Sequence, residues 1–230
     1  MPASAPQNDP PADAPGGGGL RIVRLDPLRR WVVIDKPAGL LSVPGKGADK
    51  QDCAASRVRA AFAHAHGPLV VHRLDMDTSG LLLFGLDPDA QKALSAQFER
   101  RVVSKAYTAM VAGVPGAESG EFDVPMRLDV HRRPLQIVDF EQGRPALTRW
   151  RVLALEADRT RLRLEPITGR THQLRVHCAH LGHPILGDGL YGPQPETRLA
   201  ADRLMLHASE LTFTDPSTGG DVRVESRPDY

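Results

Sequence analysis

Hydrophobic and polar residues alternate along several short stretches of the chain, and clusters of turn-forming residues separate these stretches. Alternation with a period of two is typical of β-strands that bury one face. A short continuous apolar stretch from Pro68 to Val71 also resembles a strand. The other predicted strands lie at residues 20–25, 31–35, 105–111, 147–155 and 160–165, and the last two form a hairpin around Asp158 and Arg159.

The helical spacing of apolar residues is clearest after Asp87. Asp87 is a favourable N-cap, and Pro88 suits the first helical position. Leu94 and Phe98 then lie four residues apart on one apolar face. Two more helices are predicted, one over about residues 53–66 and one from an N-cap at Thr171 to a C-terminal end at Gly182 and Pro184.

Strands outnumber helices, and most of them are close to one another in sequence. This arrangement predicts an α+β fold, with a single catalytic domain over residues 20–230 and a central mixed, largely antiparallel sheet. The first 19 residues contain five prolines, a run of four glycines and almost nothing apolar. We therefore expect residues 1–19 to be a disordered tail, because they cannot bury enough surface to become ordered.

The composition agrees with one soluble domain. The chain has 230 residues, 41% of them hydrophobic, which is enough for one sizeable core. It contains neither a run of about 18 apolar residues nor a basic segment followed by an apolar one near the N-terminus, so neither a membrane association nor export is expected. Cys53 and Cys178 fit no metal or redox spacing, which favours a reducing compartment and a cytoplasmic location.

The charge balance leaves the nature of the binding surface open. A net charge of +1 argues against one large cationic field. Between Arg127 and Arg163, however, nine arginines stand against five acidic residues. These arginines form either a basic patch on one face or a solvated hairpin whose charges alternate outward.

The run HRLDMDTSG, from His72 to Gly80, is the strongest candidate for chemistry. It places the carboxylate of Asp75 two residues after the cation of Arg73, and Thr78 begins a turn that can present side chains to a ligand. A nucleophile or a general base can be built in this way. A surface ion pair at the end of a strand is the simpler alternative for this run considered alone.

The whole run resembles the signature of the RluA-type pseudouridine synthases, in which HRLD is followed by TSG. His72 favours this type, because a sister family of the same fold has Gly at that position. Four further blocks match in the family's order, and they are VIDKPAGLLSVPG, FERRVVSKAYTAMVAG, LEPITGRTHQLRVHCAHLGHPILGD and RLMLHA. The resemblance extends over roughly residues 20–228.

The resemblance implies three catalytic residues. Asp75 matches the essential carboxylate of the family, and Arg175 matches the arginine that pairs with it. Tyr107 matches the active-site tyrosine, whose ring can stack on a uracil and whose hydroxyl or phenolate can move a proton. Considered without the resemblance, Tyr107 would be an ordinary strand aromatic.

The resemblance also suggests substrate-binding residues. Arg73 is expected near the displaced nucleotide, and His72 belongs to the same run. Lys36 and Lys105 are expected to meet phosphates, although each could equally be a solvated surface charge. Arg170 is expected to support the turn before the third helix or to bind a phosphate.

The implied reaction breaks the bond between the ribose anomeric carbon and nitrogen 1 of uracil, turns the base and rejoins it through carbon 5. It needs no redox or hydrolytic equipment, so we expect no cofactor and no metal. It needs a carboxylate, a closed pocket and a group that accepts the carbon-5 proton. Because the target must leave its stack, a uridine in a structured RNA is the expected partner, and no obligatory protein partner is inferred.

Two-domain members of the family carry an RNA-binding module of the S4 type before the catalytic domain, and the short N-terminal segment is not expected to hold one. Recognition is therefore expected to fall to the catalytic domain. The sequences LLSVPG, HRLDM and LGHPILGD most resemble the branch that modifies a large-subunit rRNA hairpin and a tRNA anticodon stem-loop.

Three alternatives compete with this interpretation. Asp75-Met76-Asp77-Thr78 also fits a DxDxT-type phosphatase, but that class needs an apolar strand directly before the first aspartate. A catalytically silent RNA-binding protein on the same fold would not require the three catalytic residues. A zinc site is the third alternative, suggested by the cluster His172, His177, Cys178, His180 and His183. It is disfavoured because the spacing of these residues fits no standard zinc site on one helix face.

Overall fold

The computed structural model describes residues 19–192 and 201–230. The predicted disordered tail, residues 1–19, lies outside the described residues except for Gly19. The strands are β1 Arg21–Leu25, β2 Trp31–Lys36, β3 Ser79–Gly85, β4 Ser104–Ala112, β5 Ser119–Asp123, β6 Met126–Leu128, β7 Gln136–Val138, β8 Leu147–Glu156, β9 Arg159–Pro166, β10 Leu206–Thr214 and β11 Asp221–Glu225. The helices are α1 Ala54–Ala61, α2 Pro88–Glu99 and α3 Gln173–His180, with a short 3-10 helix at Ala48–Lys50.

Nine strands form one sheet in the order β1-β2-β3-β10-β4-β9-β8-β5, and β11 pairs with β10. Strands β6 and β7 form a separate hairpin. The pairing of β3 with β10, in which Ser79 lies opposite His207, is parallel. The other named pairs are antiparallel. The predicted α+β fold with a mixed, largely antiparallel sheet is therefore confirmed.

The predicted strand at Pro68 to Val71 is wrong. Val70 forms only an isolated bridge with Phe84, and the Leu69 carbonyl accepts a hydrogen bond from Gly85. The strand of this region is β3, which begins with the last two residues of the HRLDMDTSG run and is buried along its whole length. A continuous apolar run is typical of such a central strand, whereas the four residues 68–71 only lie along its end.

The boundaries of α1 and α2 depend on local capping. Helix α2 begins as predicted, since the Asp87 carboxylate accepts a hydrogen bond of 2.9 Å from the Ala90 amide. Helix α1 is shorter than the predicted 53–66, because the backbone becomes extended at Phe62.

The N-terminus of α3 differs from the prediction. Its N-cap is His172 rather than Thr171, and His172 has a left-handed backbone with φ of 55° and no side-chain cap. The helix ends after His180, and Gly182 beyond it has φ of 88°, which agrees with the predicted end.

The sheet separates two apolar layers. On one face, a cluster that includes Val32, Ile34 and Phe84 packs under α1. On the other face, the side chain of Leu94 in α2 packs with a cluster built on the alternate residues of β2 and β3. A third cluster joins β4 and β9 to α3. Tyr107 packs against both the first and the third clusters, so it marks the boundary between them.

The arginine-rich segment is largely neutralised by neighbouring acids. Six of its nine arginines form ion pairs, which are Arg127–Asp139, Arg132–Asp129, Arg149–Glu121, Arg159–Asp158, Arg161–Glu156 and Arg163 with both Glu165 and Glu210. The solvated hairpin is thus the better description of this segment. None of the helices in residues 19–192 and 201–230 is long and apolar enough to cross a lipid bilayer.

Candidate active site

A cleft of about 980 Å³ opens on one face of the sheet. Its walls come from the loop before β3, from β4 and β9, and from the N-terminus of α3. Seven of the eight predicted site residues line it, namely His72, Arg73, Asp75, Lys105, Tyr107, Arg170 and Arg175. The fold therefore brings together side chains that are about 100 residues apart in sequence.

The loop that carries Asp75 has no regular secondary structure, yet its backbone is firmly held. The hydroxyl of Ser42 donates to the Leu74 carbonyl at 2.6 Å and accepts from the Leu74 amide at 3.0 Å. The Leu83 amide donates to Nε2 of His72 at 3.0 Å. These bonds fix the part of the loop that precedes Asp75, whose side chain is 28% exposed at the cleft.

Lys36 also holds this loop, from the end of β2. Its side chain is fully buried, and Nζ donates to the carbonyls of Pro37, Leu40 and Met76 at 2.7–2.9 Å. Burial lowers the pKa of Lys36 to about 8, although the nearby Asp77 and Asp75 charges oppose this shift. The predicted phosphate contact of Lys36 is contradicted, because all three donors of the ammonium group are used inside the protein.

Arg175 lies in α3 and is 3% exposed. Its Nε and one terminal nitrogen donate to the two oxygens of Asp188 at 2.8 and 2.6 Å. Its other terminal nitrogen, Nη1, lies 3.7 Å from Oδ2 of Asp75. The arginine is therefore anchored by Asp188 and faces Asp75 as a charge contact longer than a hydrogen bond.

Asp188 is a site residue that sequence reasoning missed. Burial alone would raise its pKa, but the hydrogen bonds and charge of Arg175 hold the pKa of Asp188 below its usual range. The amides of Leu190 and Tyr191 also donate to this carboxylate. Asp188 ends one of the family blocks, but no spacing in that block indicates a partner for Arg175.

Tyr107 lies in β4 between its partners Ala208 and Leu164 on the neighbouring strands. Burial raises the pKa of the Tyr107 hydroxyl well above its usual value, and the charge of Asp75 adds to this effect. The phenol is therefore neutral at pH 7, so the hydroxyl rather than the phenolate is the form present in this cleft.

His72 and Lys105 share an aromatic neighbour, Phe98. The His72 ring stacks on Phe98 with 4.4 Å between ring centroids, and burial lowers the pKa of His72 to about 3. Nζ of Lys105 lies 5.9 Å from the centroid of the same ring, and burial lowers the pKa of this lysine too. His72 is thus a neutral support of the loop, while Lys105 brings an amine to the cleft wall.

Arg73 and Arg170 differ in how they are held. Arg73 is exposed and forms no hydrogen bond or ion pair within the described part of the chain. Arg170 donates from Nε to the Pro145 carbonyl at 3.2 Å, and its amide donates to the side chain of Gln173 at 3.0 Å. Arg170 therefore supports the turn before α3, which is one of its two expected roles.

His172 also faces the carboxylate of Asp75, a contact that the sequence did not indicate. Its Nε2 lies 3.9 Å from Oδ2 of Asp75, and its Nδ1 lies 2.7 Å from the hydroxyl of Tyr191. The neighbouring histidines point elsewhere. His177 is buried against Thr148, and His183 contacts the carbonyl of Ala112.

Cationic side chains predominate around the cleft. Seven lysines and arginines line it, namely Arg73, Arg101, Lys105, Arg149, Arg163, Arg170 and Arg175. Three acidic residues face them, namely Asp75, Glu165 and Glu210. Glu165 and Glu210 pair with Arg163, so the cleft combines the carboxylate of Asp75 with an aromatic wall and a cationic rim, which suits a polyanion.

Comparison with known proteins agrees with this geometry. The sequence model of the family described as RNA pseudouridylate synthase matches residues 30–180. The chain is 44% identical over 200 residues to the dual-specificity RNA pseudouridine synthase RluA of Escherichia coli strain K12, covering 86% of this chain and 90% of that protein. The corresponding RluA of Pasteurella multocida strain Pm70 is 46% identical over 200 residues, covering 86% of this chain and 89% of that protein.

Solved structures show the same architecture. Human RNA Pseudouridylate Synthase Domain Containing 1 superposes with a TM-score of 0.75 at 30% identity, covering 96% of this chain and 86% of that one. Human RNA Pseudouridylate Synthase Domain Containing 4 superposes with a TM-score of 0.71 at 26% identity, covering 91% of this chain and 89% of that one. The chain belongs to the RNA pseudouridylate synthase family and is an isomerase that converts uridine in RNA to pseudouridine.

Proposed function

We propose that this pseudouridine synthase uses Asp75 as its catalytic carboxylate and acts on a large-subunit rRNA hairpin, a tRNA anticodon stem-loop or both. The observation that carries the proposal is the position of Asp75, which is partly exposed in the cleft with Arg175 3.7 Å away. The relatives bearing the name dual-specificity support two RNA classes as substrates.

The catalytic role of Asp75 follows from what the reaction needs. A carboxylate has to reach the sugar or the base after the target uridine has left its stack. Attack on the ribose, addition to the base and removal of a ribose proton all begin from such a carboxylate. Arg175 supplies a positive charge that orients Asp75, and Asp188 keeps that charge in place.

Tyr107 is proposed to hold the base during the reaction. Its ring lies at the boundary of two apolar clusters and lines the same cleft as Asp75. A detached uracil can rotate only if the site keeps it close and oriented, and an aromatic face does this without directional bonds. The neutral phenol then contributes a hydroxyl at the ring edge.

The RNA backbone is proposed to lie along the cationic rim. Arg73 has no partner within the described residues, so it can contact a phosphate or the displaced nucleotide. Lys105 also lines the cleft and offers a second contact. We also propose a cytoplasmic location, since Cys53 and Cys178 are both free thiols and the proposed substrates are rRNA and tRNA.

The substrate proposal can be tested by tritium release from RNA labelled at carbon 5 of uridine. Separate transcripts of a large-subunit rRNA hairpin and a tRNA anticodon stem-loop are incubated with the native enzyme, with and without a chelator. Release from either transcript, unaffected by the chelator, supports the proposal and identifies the substrate class. Release from other RNAs but from neither transcript would contradict the proposed substrates while leaving the family activity intact.

A retained ability to bind RNA without any tritium release would favour a silent RNA-binding protein. A chelator-sensitive phosphatase activity would favour the DxDxT alternative.

A further inference from the structure

The backbone of His172 is in a conformation that a non-glycine residue rarely adopts. With φ of 55° and ψ of 16°, it lies in the left-handed region directly before α3. Such residues persist where the surrounding structure holds them, and they occur often at functional sites. Here the conformation places the imidazole on the cleft wall, where it faces Asp75.

The hydrogen bonds of Tyr191 define the protonation state of His172. The amide of Gln136 donates to the Tyr191 hydroxyl at 2.8 Å. The hydroxyl's other partner in the described residues is Nδ1 of His172, 2.7 Å away. The Gln136 amide cannot accept a proton, so we assign the hydroxyl proton to the bond with Nδ1. Because Nδ1 accepts this bond, the proton of a neutral imidazole lies on Nε2, the nitrogen that faces Asp75.

The imidazole is neutral in this environment. Burial lowers the pKa of His172 and the cation of Arg175 lowers it further, while the charges of Asp75, Asp188 and Asp77 raise it. The net direction is downward. At pH 7 His172 therefore presents a neutral N–H to the catalytic carboxylate.

Two donors converge on the same oxygen of Asp75. Nε2 of His172 lies 3.9 Å from Oδ2, and Nη1 of Arg175 lies 3.7 Å from it. In both contacts Oδ2 is the nearer oxygen of the Asp75 carboxylate. A carboxylate oriented through one oxygen leaves the other free to react.

We propose that His172, held in its Nε2–H tautomer by Tyr191, is a positioning residue that acts with Arg175 to orient Asp75 through Oδ2. The inference rests on the proposed catalytic role of Asp75 and deepens it. A neutral donor orients the carboxylate without forming a second full ion pair, so Oδ1 keeps its reactivity toward the sugar or base.

The kinetic test uses variants that separate the backbone from the ring. His172→Asn keeps a residue that tolerates the left-handed region but loses the donor at the Nε2 position. His172→Gln carries an amide N–H close to that position. The 3.9 Å contact is longer than a hydrogen bond, and the proposed role requires it to shorten to one when RNA is bound. We therefore expect kcat for tritium release to fall about tenfold to a hundredfold in His172→Asn, the scale of one hydrogen bond to a charged group, with KM little changed.

His172→Gln is expected to recover part of the lost kcat, and Tyr191→Phe to lose a smaller part of it. His180→Asn is the matched control, because His180 is exposed on the same helix and lies outside the cleft. An unchanged kcat in His172→Asn, or a loss confined to KM, would overturn the proposal.

A second measurement is independent of activity. The ¹⁵N shifts of the His172 ring in the native protein distinguish the two neutral tautomers, and we expect the Nε2–H form. Tyr191→Phe is expected to release Nδ1 and populate the other tautomer. A native Nδ1–H form would overturn the proposal even if a His172 variant failed to fold.

The two proposals fail in different ways. Full activity of Asp75→Asn would remove the proposed function while leaving the tautomer result intact. An inactive Asp75→Asn together with unaffected His172 variants would contradict the role of His172 alone.

Discussion

Side chains of one chemical type have different roles in this enzyme according to what surrounds them. Lys36 is fully buried with three carbonyl partners, whereas Lys105 reaches the cleft beside an aromatic ring. Asp188 is buried and bound by Arg175, whereas Asp75 is partly exposed and only approached by it. The anchoring carboxylate and the carboxylate proposed to react thus differ in burial and bonding.

Lys36→Met should destabilise the protein and slow the reaction. The substitution leaves the carbonyls of Pro37, Leu40 and Met76 without a donor, and a buried unsatisfied group costs about 1–3 kcal/mol. Because Met76 follows Asp75, the loop also loses an anchor and kcat should fall. Urea unfolding and tritium-release kinetics measure the two effects.

Lys105→Met is the matched control for this prediction. We expect it to raise KM for RNA with little change in the urea midpoint, because Lys105 lines the cleft and has no carbonyl partners in the described structure. A Lys36→Met protein with an unchanged urea midpoint would contradict the anchoring role.

At the scale of elements, the junction between β3 and the loop that carries Asp75 determines where the Asp75 carboxylate lies. Gly80 is the second residue of β3, with φ of 108°, and lies opposite Ala208 in β10. A Cβ atom at Gly80 would collide with the backbone carbonyl and amide of Ala208. Only glycine allows the close parallel approach of β3 and β10 at this point.

Gly80→Ala is therefore expected to destabilise the fold by about 2 kcal/mol or more, since it adds a backbone clash to an unfavourable φ. The measurement is the free energy of unfolding in urea. Gly116→Ala is the control, because nothing lies within 4 Å of a Cβ at Gly116. Equal stabilities of the two variants would contradict the close approach of the strands.

Elements whose boundaries depend on residues close by in sequence could be predicted from the sequence. The start of α2 follows from Asp87 and Pro88, and the hairpin of β8 and β9 follows from alternation around its turn. The first helical residue of α3 could not be predicted, because His172 adopts its left-handed backbone under contacts with Tyr191, 19 residues later. The strand at 68–71 failed for a similar reason, since β3 occupies the sheet position beside it.

At the scale of the whole molecule, the small net charge hides an uneven distribution. The net charge is +1, yet seven basic residues face three acidic ones around the cleft. Three of the seven, Arg149, Arg163 and Arg175, are already paired with acids. The cleft cations without an ion pair in the described residues are Arg73, Arg101, Lys105 and Arg170, and they lie where RNA would be bound. Net charge alone therefore understated the capacity of this protein to bind a polyanion.

Buried histidines should make the whole fold less stable in mild acid. Burial lowers the pKa of His177 to about 4, and it lowers the pKa of His207 as well. In the unfolded chain a histidine titrates near about 6.5. Between these pH values the unfolded state binds more protons, so stability falls as the pH decreases from about 6.5 toward 4.

The urea midpoint at pH 7, 6 and 5 measures this dependence, and a decrease with falling pH is expected. His177→Gln should reduce the slope, whereas His180→Gln should not, because His180 is exposed. A midpoint that stays constant from pH 7 to pH 5 would contradict the burial of these groups in their neutral form.

Most of the site could be predicted because its motifs are local. The run from His72 to Gly80 carries the carboxylate, and the resemblance supplied Tyr107 and Arg175. The supporting residues Asp188, Tyr191 and His172 could not be assigned, because their roles depend on contacts across α3 that have no local pattern. Lys36 was misassigned because charge, unlike burial, is visible in a sequence.

The central claim is that Asp75 is the reacting carboxylate, and its most direct test compares Asp75→Asn with Asp77→Asn. Both variants remove one negative charge from the same loop, but of the two only Asp75 lies close to Arg175, at 3.7 Å, and to His172, at 3.9 Å. We expect Asp75→Asn to abolish tritium release from carbon-5-labelled uridine in RNA while it still binds that RNA, and Asp77→Asn to retain release. Release by Asp75→Asn at the native rate would contradict the account.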